Sequence, residues 1–187
     1  MNRLLTIFAV VVIFVVVLYF SVSLRPLLQR LYPLDYSDII SEQARLYKID
    51  PLLIAAIISV ESRWVTTAVS SKGAAGLMQL MPDTAVWIAA QTRTDFTEDD
   101  IFIPEINIRF GCWYLNYLQE QFSSLTAALA AYNGGQGNVR QWLAENIWDG
   151  SYENFSDIPF WETRGYIKKI TYTWNIYQKI YDYQWEE

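Results

Sequence analysis

The sequence predicts an all-α domain preceded by one long apolar helix. Three observations carry that prediction. Beyond residue 36 the chain falls into successive segments of helical periodicity. Prolines at 51, 82, 104 and 159 stand at the first positions of those segments, where a missing N–H costs a helix nothing. No segment alternates apolar and polar residues with the two-residue period of a half-buried strand.

The first element is the run Leu4 to Leu24, which carries no charge and whose polar residues are Thr6, Ser21 and Ser23. At about 1.5 Å per residue its length is roughly 30 Å, the thickness of a bilayer core. A cleaved secretory signal is the competing reading, because Ser21 and Ser23 are small residues suited to a cleavage site. The run is longer than the roughly 7–15 apolar residues of such a signal, so an uncleaved transmembrane anchor over residues 1–24 is expected. No cysteine lies just after the run, which excludes a lipid-modified terminus. Arg3 lies on one side and Arg25 and Arg30 on the other, so flanking charge does not fix the orientation. Pro26 and Pro33 bracket a short juxtamembrane linker, residues 25–35.

Residues 36–187 are then the domain. Ser37 through Leu46 reads as its first helix. Asp50-Pro51 is a helix start, an N-cap followed by proline. The segment it opens, Leu52 to Val60, is apolar nearly all round and so is expected to be buried. Pro82 opens a helix to about Gln91, and Pro104 opens one that runs past Cys112 to Gln121. A short alanine-rich helix, Leu125 to Tyr132, is followed by Gly137 to Glu145 and by Pro159 to Tyr183.

Composition excludes several chemistries. The 187 residues contain no histidine and one cysteine. A Ser-His-Asp triad, a Cys-His dyad, a histidine-ligated metal and an intrachain disulfide are therefore impossible. Acid–base work must fall to Asp, Glu, Lys, Tyr or Cys112. Cys112, within a helical run, reads as a small core residue. The net charge of −6 argues against a nucleic-acid partner, since phosphate binding needs a basic surface. Asp95, Glu98, Asp99 and Asp100 cluster, but their spacing matches no calcium loop and reads as solvated chain; no metal and no cofactor is expected.

Glu61 stands out. Ile54, Ile57 and Ile58 precede it by seven, four and three residues, so all four share one helix face. Burial disfavours an ionised carboxylate, and a helix C-terminus is the negative end of the helix dipole. Both effects raise the pKa and keep a proton on the acid near neutral pH. An exposed glutamate screened by Arg63 is the competing reading. Downstream, Gly73-Ala74-Ala75-Gly76-Leu77-Met78-Gln79-Leu80-Met81-Pro82 supplies two glycines for tight turns and an amide side chain. Ala131-Tyr132-Asn133-Gly134-Gly135 places a phenol at a helix end, with Asn133 and Gly134 suited to its C-cap.

Glu61-Ser62, Gly76 to Pro82, Ala131 to Gly135, and Glu162-Thr163-Arg164-Gly165-Tyr166, in that order, resemble the motifs of lytic transglycosylases of the soluble-lytic-transglycosylase type. The resemblance spans about residues 36–182. It implies a lysozyme-like fold and cleavage of the β-1,4 bond between N-acetylmuramic acid and N-acetylglucosamine without water, leaving a 1,6-anhydro ring. It implies Glu61 as the single catalytic acid and base. Ser62 would support the catalytic turn. Gln79 and Asn133 would hydrogen-bond the glycan, Met81 would line a sugar subsite, and Tyr132 would bond near Glu61 or the substrate acetamido group. Tyr166 is a further substrate-binding candidate, with packing of the last helix as the other reading. Tryptophans could stack on sugar rings, though most are expected in the core.

Peptidoglycan lies outside the cytoplasmic membrane, so this implied function puts the domain on the extracytoplasmic side of a single-pass anchor, close to the bilayer. Association with cell-wall synthesis or secretion machinery fits that location and has no motif of its own. Two rivals stand beside this reading: a goose-type lysozyme-like hydrolase of the same bond, and a glycan-binding module without turnover.

Overall fold

In the computed structural model residues 2–182 are described, with the side chains of residues 2, 4 and 16–23 outside the description. Eight α-helices account for most of them: α1 Asn2–Leu31, α2 Ser37–Tyr47, α3 Pro51–Glu61, α4 Pro82–Thr92, α5 Pro104–Gln121, α6 Leu125–Gly134, α7 Gln136–Ala144 and α8 Trp161–Ile180. Short 3-10 turns at Glu98–Phe102 and Phe155–Asp157 precede α5 and α8. The all-α expectation holds for the domain. Its seven helices, α2 to α8, begin within one residue of the positions that the sequence indicates, apart from the segment opened by Pro159, which becomes helical only at Trp161, two residues on.

Helix α3 is the axle. Pro51 through Ile58 are all buried, and Asp50 caps the start by accepting the Leu52 N–H at 2.8 Å. An apolar surface on every side needs neighbours on every side. Helix α8 crosses it most extensively and α2 flanks it, while α5 and α6 close the rest of the core. Ile54, Ile57, Ile58, Leu77, Met78, Ile108, Cys112 and Tyr166 share one cluster. Each fully buried aliphatic side chain contributes about 1.5–3 kcal/mol. Cys112 is fully buried within it, as a small apolar residue would be.

Helix α1 runs through Pro26 to Leu31, so most of the segment read as a linker is helical. The reason is a dock. Arg25 Nε and Gln29 Nε2 donate to the Ile180 carbonyl at 2.9 and 3.1 Å, satisfying an orphan acceptor at the end of α8. Arg25 also pairs with Asp182 at 2.6 Å. Tyr181 and Tyr177 donate their hydroxyls to the carbonyls of Tyr32 and Pro33. Upstream, Leu5, Ile7, Phe8 and Val10 to Val15 lie exposed. Among the described residues no helix is long and apolar enough to cross a membrane. The expected anchor falls partly outside them, at Leu4 and residues 16–23.

Candidate active site

Glu61 is the last residue of α3, half-buried, with its carboxyl pushed up from 4.5 to about 7. Burial is the main cause. The Tyr166 hydroxyl opposes it, and the negative charge of Glu162 adds a smaller upward push. The apolar helix face anticipated the burial. It did not anticipate Glu162, which lies four residues before Tyr166 and so on the same face of α8. Glu162 is therefore the second acid in Glu61's neighbourhood, inside the motif that otherwise supplies only Tyr166. It is exposed and ion-paired to Lys72 at 2.7 Å.

Around the acid stand two phenols. Tyr166 is buried beside Glu61, close enough to act on its carboxyl, while among the described residues its hydroxyl meets no partner in full hydrogen-bond geometry. Tyr132 donates its hydroxyl to the Met78 carbonyl at 2.9 Å, and Glu61 lies within its electrostatic reach. Both phenols are held far above their ordinary pKa by burial, so they stay neutral donors.

Residues 65–80 form a loop closed by two isolated bridges, Val69 with Ala75 and Ala75 with Leu80. Its geometry depends on two residues. Gly76 adopts φ +79°, and a Cβ there would collide with the Asn107 side chain and come 2.5 Å from the Ile101 carbonyl. Asn107, buried on α5, accepts the Met78 N–H at 2.7 Å and donates to the carbonyls of Ala75 and Ile101 at 3.1 and 2.7 Å. Sequence reasoning missed Asn107; a polar residue on an apolar helix face was its only signal.

The remaining candidates divide. Met81 is 43% exposed at the start of α4, free to meet a ligand. Gln79 sits at φ +48° and donates its amide to the Ala68 and Gly76 carbonyls at 3.1 and 2.9 Å, so only its Oε1 is left for a ligand. Asn133 Oδ1 accepts from the Thr163 hydroxyl at 2.9 Å, tying α6 to α8. The C-cap lies at Gly135, φ +86°, one residue beyond the Asn133-Gly134 pair. Ser62 is buried, and its hydroxyl returns to the Ile58 carbonyl at 3.2 Å, supporting the turn after Glu61. Trp142 and Trp148 are buried, whereas Trp161 is 78% exposed. In the acidic cluster, Asp100 caps the 3-10 turn by accepting the Thr97 N–H at 2.7 Å.

Beside this geometry stands a sequence comparison: residues 38–155 match the Transglycosylase SLT domain family. The chain belongs to that family. It is 38% identical over 151 residues to a soluble lytic murein transglycosylase of Salmonella typhimurium, covering 76% of this chain and 23% of that protein. It is 32% identical over 168 residues to a membrane-bound lytic murein transglycosylase C of Edwardsiella ictaluri, covering 78% and 47%. Among solved structures, an inactive Glu-to-Gln mutant of the lytic transglycosylase Slt of Pseudomonas aeruginosa superposes with TM-score 0.73 at 32% identity, covering 84% of this chain and 26% of that one. The 70 kDa soluble lytic transglycosylase in complex with bulgecin A superposes with TM-score 0.72 at 32% identity, covering 81% and 25%. This SLT-family chain thus has the lysozyme-like fold expected of it, and it spans about a quarter of the length of the soluble relatives it matches.

Proposed function

We propose that this chain is a membrane-anchored peptidoglycan lytic transglycosylase with Glu61 as its catalytic acid and base. The observation that carries the reading is the Glu61 carboxyl, half-buried and raised to about 7 in a domain of the SLT family. A carboxyl with that pKa is largely protonated just below neutral pH and ionises readily once it has given its proton away. Protonated Glu61 donates to the glycosidic oxygen as the bond from that oxygen to C1 of N-acetylmuramic acid breaks. The substrate's own acetamido oxygen stabilises the positive charge at C1. The C6 hydroxyl then closes on C1 and returns its proton to Glu61, giving a 1,6-anhydro end and regenerating the acid. Neutral Tyr166 supplies a donor beside the reacting atoms. Tyr132 fixes the loop through Met78. Met81, Gln79 Oε1 and Asn133 line the approach to sugar, and Ser62 holds the turn.

Residues 1–24 are the anchor in this proposal, residues 25–35 join it to the domain, and residues 36–187 act outside the cytoplasmic membrane. The exposed apolar side chains between Leu5 and Val15 support this, as does the membrane-bound relative. Glu162 favours a second reading, hydrolysis of the same bond, because ordinary glycosidases use two carboxyls. Product analysis decides between them. The full chain in detergent is incubated with purified peptidoglycan and the muropeptides are weighed. Anhydro ends, one water lighter than reducing ends, are expected. Reducing ends alone would establish the hydrolase, and no products at all the binding module. Glu61→Gln should abolish turnover while leaving the fold intact.

A further inference from the structure

A cavity of about 530 Å³ opens where the end of α1 meets the turn after α3, lined among others by Arg30, Tyr32, Ser59, Arg63 and Trp64. Three features make it a built site. Arg30 and Arg63 both face it and are exposed, and among the described residues neither has an ion-pair partner. Arg63 and Trp64 are consecutive non-glycine residues with φ of +53° and +67°. Such left-handed backbone costs of order 1–3 kcal/mol per residue and concentrates at ligand clamps. Trp64 is fixed, donating its indole N–H to the Tyr177 hydroxyl at 3.2 Å and stacking on Tyr36. None of this serves Glu61: the segment 59–64 presents Glu61 to Tyr166 and Glu162, and Arg63 to Arg30.

The position of the cavity selects its ligand. Arg30 lies in the last turn of α1, six residues past Leu24, roughly 9 Å along a helix. Headgroup layers extend about 5–7 Å beyond each face of the hydrocarbon core, so the Arg30 backbone stands just outside them and its long side chain reaches back to the phosphate level. Leu27 and Leu31, 52% and 67% exposed, put apolar surface beside the cavity, which Leu31 lines. Two guanidiniums without an ion-pair partner among the described residues line one cavity and offer the charge-assisted donors that phosphate oxygens accept, and Tyr32 and Trp64 are aromatics of the kind enriched at bilayer interfaces.

We propose that Arg30 and Arg63 form a binding site for the phosphate of an anionic phospholipid, locking the catalytic domain against the bilayer surface. The proposal rests on the anchored reading above.

The full chain, wild type and Arg30→Gln/Arg63→Gln, is reconstituted into nanodiscs of phosphatidylcholine with and without phosphatidylglycerol. Native mass spectrometry then counts the lipids retained on release. Wild type is expected to retain one phosphatidylglycerol several-fold over phosphatidylcholine, and the double variant to lose that preference. Equal retention by both proteins, or no preference in wild type, overturns the site. Release of the lipid by millimolar inorganic phosphate assigns the arginines to a free anion instead and also overturns it. So does a double variant that slows on peptide-bearing glycan but not on peptide-free strands, which assigns them to the stem peptide. A chain that never enters the discs overturns the anchor itself. Lipid retention is read without turnover, so its outcome is independent of the transglycosylase reading.

Discussion

Lys72 Nζ stands 2.7 Å from Glu162 Oε2, joining the loop that carries Gly76 to Met81 to the first turn of α8. The charge of Glu162 adds to the burial that raises Glu61, so Lys72 neutralises a charge that bears on the Glu61 carboxyl. Glu162→Gln removes that negative charge. Glu61 then ionises more readily, and the alkaline limb of kcat/KM moves to lower pH. Lys72→Met leaves Glu162 unpaired and moves the limb to higher pH. Both side chains are more than half exposed, so water screens them and the pair contributes only about 0–1 kcal/mol to stability. Limb shifts of a few tenths of a pH unit are expected, smaller at high salt. Profiles of the two single variants and the double variant check this: the Lys72→Met shift should vanish when Glu162 is already Gln.

Glu61 is held in its place at a cost to stability, and the cost has a pH signature. Its folded pKa, about 7, lies above the ordinary 4.5. Below pH 4 both folded and unfolded chains are protonated and nothing is lost. Between 4.5 and 7 the unfolded chain releases a proton that the folded chain keeps, so stability falls as pH rises. Above 7 the full penalty applies, about 3 kcal/mol at ~1.4 kcal/mol per pH unit. Glu61→Gln removes the ionisable group. The variant should match wild type near pH 4 and exceed it by up to about 3 kcal/mol at pH 8. Urea unfolding at the two pH values measures the difference, and equal gains at both would contradict a titrating origin.

Asn107 makes three hydrogen bonds to backbone in a buried site. Asn107→Ala strands the Met78 N–H and two carbonyls, each costing about 1–3 kcal/mol. Gly76→Ala forces a Cβ into the same side chain at a positive φ. Both variants are expected to lose at least about 3 kcal/mol. Because Met78 carries the carbonyl that Tyr132 grips, they should also lose activity at temperatures where the fold persists. Melting followed by circular dichroism, with turnover measured well below the midpoint, separates the two effects.

What was legible in the sequence is what is decided locally. Asp50-Pro51, Pro82 and Pro104 announce their helices because an N-cap and a missing N–H act within one turn. The apolar face beneath Glu61 is equally local, and it anticipates the burial of that carboxyl. Helix α6 ends at Gly134, two residues beyond the expected Tyr132, and the Asn133 side chain bonds Thr163, thirty residues away. The partners that shape the site are distant in sequence. Asn107 is 29 residues from Met78, and Lys72 is 90 from Glu162. Periodicity has no access to such pairs. The continuation of α1 to Leu31 likewise depends on Ile180, some 150 residues on.

Asp50 offers the sharpest separation of stability from catalysis. One carboxylate oxygen caps α3 through the Leu52 N–H, and the other accepts the Trp174 indole N–H of α8 at 3.0 Å. The residue thus fixes both the start of the buried helix and its crossing with α8, at the opposite end of α3 from Glu61. Asp50→Ala loses both acceptors, and a lost cap alone costs about 1 kcal/mol. About 2 kcal/mol is expected in total. Asp50→Asn keeps one oxygen for Leu52 but turns an N–H₂ group toward the indole N–H, so about half that loss is expected. Neither change touches the surroundings of Glu61, and kcat should stay within about twofold of wild type. Denaturant unfolding of the two variants beside their turnover checks all three values. An Asn variant no more stable than the Ala variant would show that Trp174, and not the helix cap, dominates the contribution of Asp50.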